Sequence, residues 1–234
     1  MADICGKPMV WWVYQNCRKV ELLSEVYVAT DSDLIMKECQ RLDMKAIMTS
    51  ADCLTGTDRC AEAVLNMDAD IILNVQGDEP LLEPETMAEA IEPLMKNDDL
   101  QVTNLMTKIT SPVDLINNTI PKVITNEAGI GLYLTRNAAP YPKGSLKVSY
   151  YKQVCVYGFR PQALRFFREY GLKKGKAKNE AIEDIEILRF IENGYRVQFK
   201  EVATDTVAVD TPNDLERVRS ILKNSWGGVK DITS

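Results

Sequence analysis

The 234 residues suffice for one sizeable α/β domain or two small ones, and 28 basic against 34 acidic residues leave a net charge of −6, which speaks against a general nucleic-acid or membrane-surface binder. Histidine is absent, so imidazole bases, Ser-His triads and histidine metal sites are excluded within the chain; carboxylates, lysines, arginines, backbone or a metal must carry any catalysis. Six cysteines without a CxxC pair read as buried or half-buried thiols of a reducing compartment, and with no signal-peptide pattern or long apolar run the expected location is the cytoplasm, off the membrane.

In chain order, Val26–Thr30 has strand character and Asp33–Leu42 predicts a helix with Leu34, Ile35, Cys39 and Leu42 on one side. Lys45–Thr49 is a second strand, Thr57–Met67 the next helix, and Asp70–Val75 a third strand, apolar toward both faces. Pro84–Met95 predicts a helix with Pro84 in its first turn and Glu83 and Glu85 at its positive end. This β-α-β-α-β-α order implies a parallel sheet with helices on both faces. The middle then changes character. Pro121–Asn126 and Ile130–Thr135 flank Glu127-Ala128-Gly129, a hairpin signal, and Tyr150–Phe159 adds a long strand. Helices return at Pro161–Glu169 and Glu180–Glu192, with Lys173–Glu180 read as a mobile surface loop between them. A strand at Arg196–Val202, a short one at Val207–Val209 and a helix at Pro212–Leu222 end the pattern. One domain over residues 1–234 is expected: a doubly wound, mixed, mostly parallel α/β sheet with an antiparallel β insertion around residues 112–160.

Ligands in open α/β sheets bind outside the carboxyl ends of the parallel strands. Three aspartates end strands in this pattern: Asp31, Asp78 and Asp210. Asp78, in Gln76-Gly77-Asp78-Glu79-Pro80, and Asp210, in Val209-Asp210-Thr211-Pro212, can converge from distant sequence on one hard cation. Carboxylates without histidine suit Mg2+, which shares its remaining positions with waters and substrate phosphates; the plain alternative is that each aspartate caps the helix after it. Thr55-Gly56-Thr57-Asp58-Arg59 opens a helix and can seat a phosphate or a base edge, or be an ordinary cap. On the insertion, alternation puts Gln153, Cys155 and Tyr157 on one face and Lys152 on the other, with Lys122 and Arg136 nearby; solvation is the ordinary outcome for such charges. Glu183 and Glu186 stand one helical step apart, able to accept sugar hydroxyls or simply to keep a helix soluble.

The motifs Val28-Ala29-Thr30-Asp31, Met48-Thr49-Ser50-Ala51-Asp52, Thr55-Gly56-Thr57-Asp58-Arg59, Asn74-Val75-Gln76-Gly77-Asp78-Glu79-Pro80 and Val209-Asp210-Thr211-Pro212-Asn213-Asp214-Leu215-Glu216 occur in the order seen in 3-deoxy-manno-octulosonate (Kdo) cytidylyltransferases. With Gly6-Lys7-Pro8-Met9 and Tyr157-Gly158-Phe159-Arg160 added, the chain resembles that family over almost its whole length. The resemblance implies a Rossmann-like nucleotidyltransferase fold and Mg2+-dependent transfer of CMP from CTP to Kdo, an acidic eight-carbon sugar, with release of pyrophosphate. It implies Asp78 and Asp210 as the catalytic metal-binding pair and Thr55, Gly56, Thr57 and Arg59 as the nucleotide loop. Gln76, Gln153, Tyr157, Glu183 and Glu186 would surround the sugar, with Lys122 and Arg136 toward its carboxylate. A homodimer, with the insertion as its interface, and a product destined for lipopolysaccharide or capsule belong to the same expectation.

Two departures accompany the resemblance. The family begins with a β-strand and a loop of the form P-A-R-x-x-S-x-R-x-P-G-K that cradles the CTP phosphates, whereas this chain starts at Met1-Ala2-Asp3-Ile4-Cys5-Gly6-Lys7. The expectation is either an N-terminally incomplete sequence or a degenerate relative that binds sugar or a partner without catalysis. Many family members also carry histidine where Gln153 stands, and glutamine cannot carry charge, which admits a related acid such as an amino-substituted Kdo.

Overall fold

A computed structural model of the chain describes residues 1–144, 148–203, 208–209 and 211–226. The antiparallel pair β1 (Asp3–Ile4) and β2 (Lys7–Pro8) leads directly into α1 (Met9–Cys17), and Trp12 Nε1 donates to Ile4 O at 2.9 Å, folding the pair onto the helix. β3 (Val28–Thr30), α2 (Asp33–Arg41), β4 (Ala46–Met48), α3 (Gly56–Ala63) and β5 (Ile72–Val75) then follow the expected alternation. Ser32 and Thr55 start the two helices by accepting from the Ile35 and Asp58 N–H groups. The helix expected over residues 84–95 is instead two, α4 (Pro84–Ala88) and α5 (Glu92–Lys96), because Pro93 has no N–H with which to continue the ladder of α4.

β6 (Val102–Lys108) and α6 (Pro112–Ile116) come next, then the hairpin β7 (Lys122–Thr125) and β8 (Gly131–Thr135), and the long β9 (Tyr151–Phe159). α7 (Pro161–Lys174), α8 (Lys178–Glu183), α9 (Leu188–Glu192), β10 (Val197–Glu201) and α10 (Pro212–Trp226) complete the order. The segment expected as a mobile loop over Lys173–Glu180 is mostly helix, and Glu180 within it is fully buried. The helix expected over residues 180–192 breaks at Asp184, whose φ of +51° ends α8 in the left-handed region. Val207, part of the short strand expected before Asp210, lies outside the described residues, as does Asp210 itself.

The main sheet is mixed, ordered β10-β6-β9-β7-β8, with β5 also paired to β9. β9 joins β7 through Tyr151 and Lys152 and β5 through Val156 to Phe159. Since β5 and β6 both run antiparallel to β9, and β10 is parallel to β6, those three strands point the same way. Fewer ladders are parallel than the sequence pattern implied, because β9 inserts between β5 and β6. One face of the sheet packs on α3, α7 and α9 through Ala61, Phe167 and Phe190; the other packs on α1 and α4 through Val13, Cys17 and Met87.

β3 and β4 form a separate parallel pair. Between β3 and β5 runs a groove of about 780 Å3, faced by Val13, Tyr14 and Cys17 of α1 and by Cys60, Ala63 and Val64 of α3. Asp31, Gly56, Arg59, Gln76 and Gly77 line it where the strands end.

Candidate active site

The Gln76–Pro80 stretch leaves β5 and is fastened to β9. Gln76 N–H donates to Cys155 O at 3.4 Å, and Cys155 N–H donates to Glu79 Oε1 at 3.2 Å. β9 bulges at this point: Val154 and Tyr157 pair with adjacent residues of β6, so Cys155 and Val156 have no partner on that strand. Asn104 of β6 fills the gap, its Nδ2 donating to Val154 O at 2.9 Å and to Val156 O at 2.8 Å. Asn16 Nδ2 of α1 holds the far end of the stretch through Pro80 O at 3.1 Å. Of the two acids at this tip, Glu79 is buried and serves the bulge, while Asp78 is half-buried. Val209 N–H donates to Asp78 O at 2.9 Å, so the two strand-end motifs are neighbours.

The turn opening α3 comes to the same place. Thr57 N–H donates to Glu186 Oε2 at 2.7 Å and Gln76 Nε2 approaches Glu186 Oε1 at 3.4 Å, so one carboxylate joins the turn to the strand tip. Asn74 Nδ2 of β5 donates to Thr57 Oγ1 at 3.3 Å. Gly56 makes the approach possible, since a Cβ there would lie 2.8 Å from Gln76 Nε2. Thr55 Oγ1 accepts from Asp58 N–H at 3.1 Å and donates to Asp58 Oδ2 at 2.8 Å. Thr57 and Asp58 N–H groups are therefore taken up inside the protein and are not free to seat a phosphate at this helix start. Arg59 ties the ends of β3 and β4 together, donating to Asp31 Oδ2 at 3.0 Å and Thr49 Oγ1 at 2.6 Å. Burial pushes the Glu186 carboxyl above its ordinary value, opposed by the Thr57 N–H, which favours the anion.

Glu183 and Glu186 do not share a helical face, because α8 ends between them. Glu183 Oε2 accepts from Arg136 N–H at 2.9 Å, away from Thr57. The Arg136 guanidinium donates to the carbonyls of Glu183, Asp184, Thr119 and Asn118 at 2.5 to 3.2 Å. Lys122 is fully buried, with its Nζ on the carbonyls of Asn117, Ile120 and Arg136 at 2.5, 2.9 and 2.9 Å. An ammonium has three donors, so all of them go to backbone here; burial also pulls its pKa down. Lys122 thus ties Asn117 and Ile120 to Arg136, and Arg136 ties the insertion to the end of α8. Gln153 Nε2 donates to Asn104 Oδ1 at 2.8 Å, and Tyr157 is buried beside Phe159, its hydroxyl pushed well above the ordinary tyrosine value by that burial.

Sequence reasoning did not find Asn74, Asn104 or Arg189. Asn74 is a polar residue inside an apolar strand, a signal that was present; Asn104 lies in β6, whose mixed polar and apolar sequence does not announce a strand; and Arg189 looks like any helix-surface arginine until its distant partners are known.

A family model for cytidylyltransferases matches residues 1–204. The 3-deoxy-manno-octulosonate cytidylyltransferase of Syntrophus aciditrophicus is 40% identical over 226 residues, spanning 95% of this chain and 90% of that protein. The protein of the same name from Geobacter sulfurreducens is 39% identical, spanning 95% and 92%. A solved structure of CMP:2-keto-3-deoxy-manno-octonic acid synthetase complexed with CTP superposes with a TM-score of 0.87 at 34% identity, covering 96% of this chain and 91% of that one. The 2-C-methyl-D-erythritol 4-phosphate cytidylyltransferase of Thermus thermophilus, at 14% identity and a TM-score of 0.59, shares the fold alone. With the strand-tip and helix-start motifs meeting at Glu186 and these relatives matching nearly end to end, the chain belongs to the 3-deoxy-manno-octulosonate cytidylyltransferase family.

Proposed function

We propose that this chain transfers CMP from CTP to Kdo and releases pyrophosphate. The observation that carries the reading is the junction of the Thr55–Arg59 turn with the Gln76–Asp78 strand tip through Glu186, in a chain so similar to a synthetase solved with CTP. The anomeric hydroxyl oxygen of the sugar attacks the α-phosphorus and loses its proton, the bond from that phosphorus to the bridging oxygen breaks, and pyrophosphate departs. Such transfers depend chiefly on alignment and on neutralising phosphate charge.

Asp78 and Asp210 are the residues that would hold Mg2+. Both are hard oxygen donors, and the Val209–Asp78 hydrogen bond supports their convergence. Bound there, the ion supplies Lewis-acid neutralisation of the phosphates. The protein's own part is positional: Glu186 fixes Thr57 and Gln76 relative to each other, which leaves Gln76 Oε1 as an acceptor for a sugar hydroxyl.

One observation favours a second substrate of the same class. Because Asn104 Nδ2 is fixed on two carbonyls, its Oδ1 is the atom that faces Gln153, which donates to it with Nε2 and keeps Oε1 as an acceptor. An acceptor fixed in this way suits a sugar with an added donor, such as an amino-substituted Kdo. A cytoplasmic location agrees with six free thiols, and among the described residues no helix is long and apolar enough to cross a membrane. A homodimer through the insertion is supported by the exposed Val113, Ile116, Leu132 and Tyr141, all within it.

The test is pyrophosphate release from CTP and Mg2+ with Kdo, amino-substituted Kdo and sialic acid in parallel. Release with either eight-carbon acid and none with sialic acid is expected; a folded chain that releases none with all three rejects catalysis in favour of a binding role.

A further inference from the structure

Beneath the nucleotide turn lies an ion cluster that takes no part in the chemistry proposed above. Arg189 of α9 is the largest fully buried side chain among the described residues. Its Nε and Nη2 donate to Glu180 at 2.7 and 2.6 Å, Nη1 and Nη2 donate to Asp58 at 2.7 and 3.1 Å, and Nη1 also donates to Phe167 O at 3.0 Å. A guanidinium has five N–H donors, and these five bonds take up every one. The Phe167 ring lies beneath the cation, 3.6 Å from centroid to Cζ.

The two acids have other duties. Asp58 closes the cap with Thr55 at the start of α3, and Glu180 accepts from Ala177 N–H at 2.8 Å at the start of α8. Gly171 of α7 completes the enclosure, since a Cβ there would lie 2.8 Å from both Arg189 Nη1 and Asp58 Oδ1. On the site side, Glu186 from the same segment holds Thr57. Adjacent residues of the nucleotide turn are thus gripped by one segment at two points, Thr57 by Glu186 and Asp58 by Arg189. Buried ion pairs add little net stability against apolar packing of equal volume, so fixing one geometry is the better account of this one.

We propose that Arg189 is a positioning residue for nucleotidyl transfer: through Asp58 and Glu180 it locks the Thr55–Arg59 turn to the segment bearing Glu183 and Glu186, setting the nucleotide side of the site against the sugar side. The inference rests on the cytidylyltransferase reading. Lysine cannot replace the planar fork, because three donors radiating from one nitrogen cannot make the five bonds by which the guanidinium holds both oxygens of Glu180 and of Asp58 together with Phe167 O.

The experiment compares the full chain with Arg189→Lys, which keeps the charge, and Gly171→Ala, which keeps every charged group but crowds the Arg189–Asp58 contact. Amide hydrogen exchange at Thr57 and Asp58 is read in the free protein, and KM for CTP and for Kdo is read in turnover. Both variants are expected to melt cooperatively, to exchange at least about tenfold faster at those two amides, and to show KM for CTP raised about tenfold with a smaller change for Kdo. A folded Arg189→Lys protein with unchanged exchange or unchanged KM for CTP overturns the proposal. Should Arg189→Lys fail to fold, Gly171→Ala decides by the same two readings. If the parent chain makes no CMP-sugar at all, the functional reading fails by itself, while the exchange arm still reports whether Arg189 holds the turn.

Discussion

Glu186 is the residue on which the two halves of the site meet, and its burial gives it a pH signature. A carboxyl held above its ordinary value favours the folded state fully below the unfolded value, and that contribution is lost as pH rises through the folded value. Glu186→Gln keeps an acceptor for Thr57 N–H but cannot ionise. Its melting temperature, relative to the parent chain, is therefore expected to be higher at pH 8 than at pH 4, and a gap that does not change with pH refutes the burial argument. Asp78 carries the other residue-scale expectation. Asp78→Asn retains shape and removes charge, so cytidylyl transfer should fall at least about a hundredfold while the melting curve stays close to the parent's; undiminished turnover would remove Asp78 from the metal assignment. One thiol bears on accessibility. Burial pushes Cys17 up to about 12, so at pH 8 only about one in ten thousand is thiolate, and it should not react with iodoacetamide until the chain unfolds.

Among the elements, the bulge in β9 does most to place the site, since it sets where Glu79, Gln153 and Tyr157 lie. Asn104 Nδ2 donates to both bulge carbonyls. Asn104→Ala leaves both carbonyls buried without that donor, a loss of about 2–4 kcal/mol by the usual cost of an unmet buried acceptor, readable as a lowered urea midpoint. A midpoint within error of the parent's would mean that the bulge relaxes or that water replaces the amide. β6 itself was not legible in the sequence: Val102 to Thr107 are all buried, yet Thr103, Asn104 and Thr107 are polar, so neither alternation nor an apolar run announced it. Thr103 survives there by donating to Ala90 O at 2.5 Å. The strand tips and helix starts were legible because caps, glycines and acids act within a few residues of themselves, as Thr55 with Asp58 and Ser32 with Ile35 demonstrate. The break at Asp184 moved Glu183 away from Glu186. Arg189 was illegible for the complementary reason that Asp58, its partner, lies 131 residues away in sequence.

At the scale of the whole molecule the groove between β3 and β5 is the feature with the largest thermodynamic consequence. β3 pairs with β4 on one edge and β5 pairs with β9 on one edge; among the described residues no strand pairs with the edges that face each other across the groove. Apolar side chains of α1 and α3 cover its two faces, and Met1 lies in its wall. Backbone edges on both sides and apolar helices above and below are the surroundings of a central strand in a doubly wound sheet. A five-residue strand is about 17 Å long, and burying three of its apolar side chains at about 1.5–3 kcal/mol each, with ladders on two edges, exceeds an ordering cost of about 1.5 kcal/mol per residue by a few kcal/mol. Placing the strand and P-A-R-x-x-S-x-R-x-P-G-K loop of the family before Met1 should therefore raise the melting temperature by about 5–10 °C, at roughly 2–4 °C per kcal/mol for a chain of this size. The new protection from hydrogen exchange should fall on alternate amides of Val28–Thr30 and Ile72–Val75 and spare β10, and KM for CTP should drop in the extended protein. An extension that leaves those amides as they were, whatever it does to activity, would show that the groove does not hold a strand and that the two sheets are meant to stand apart.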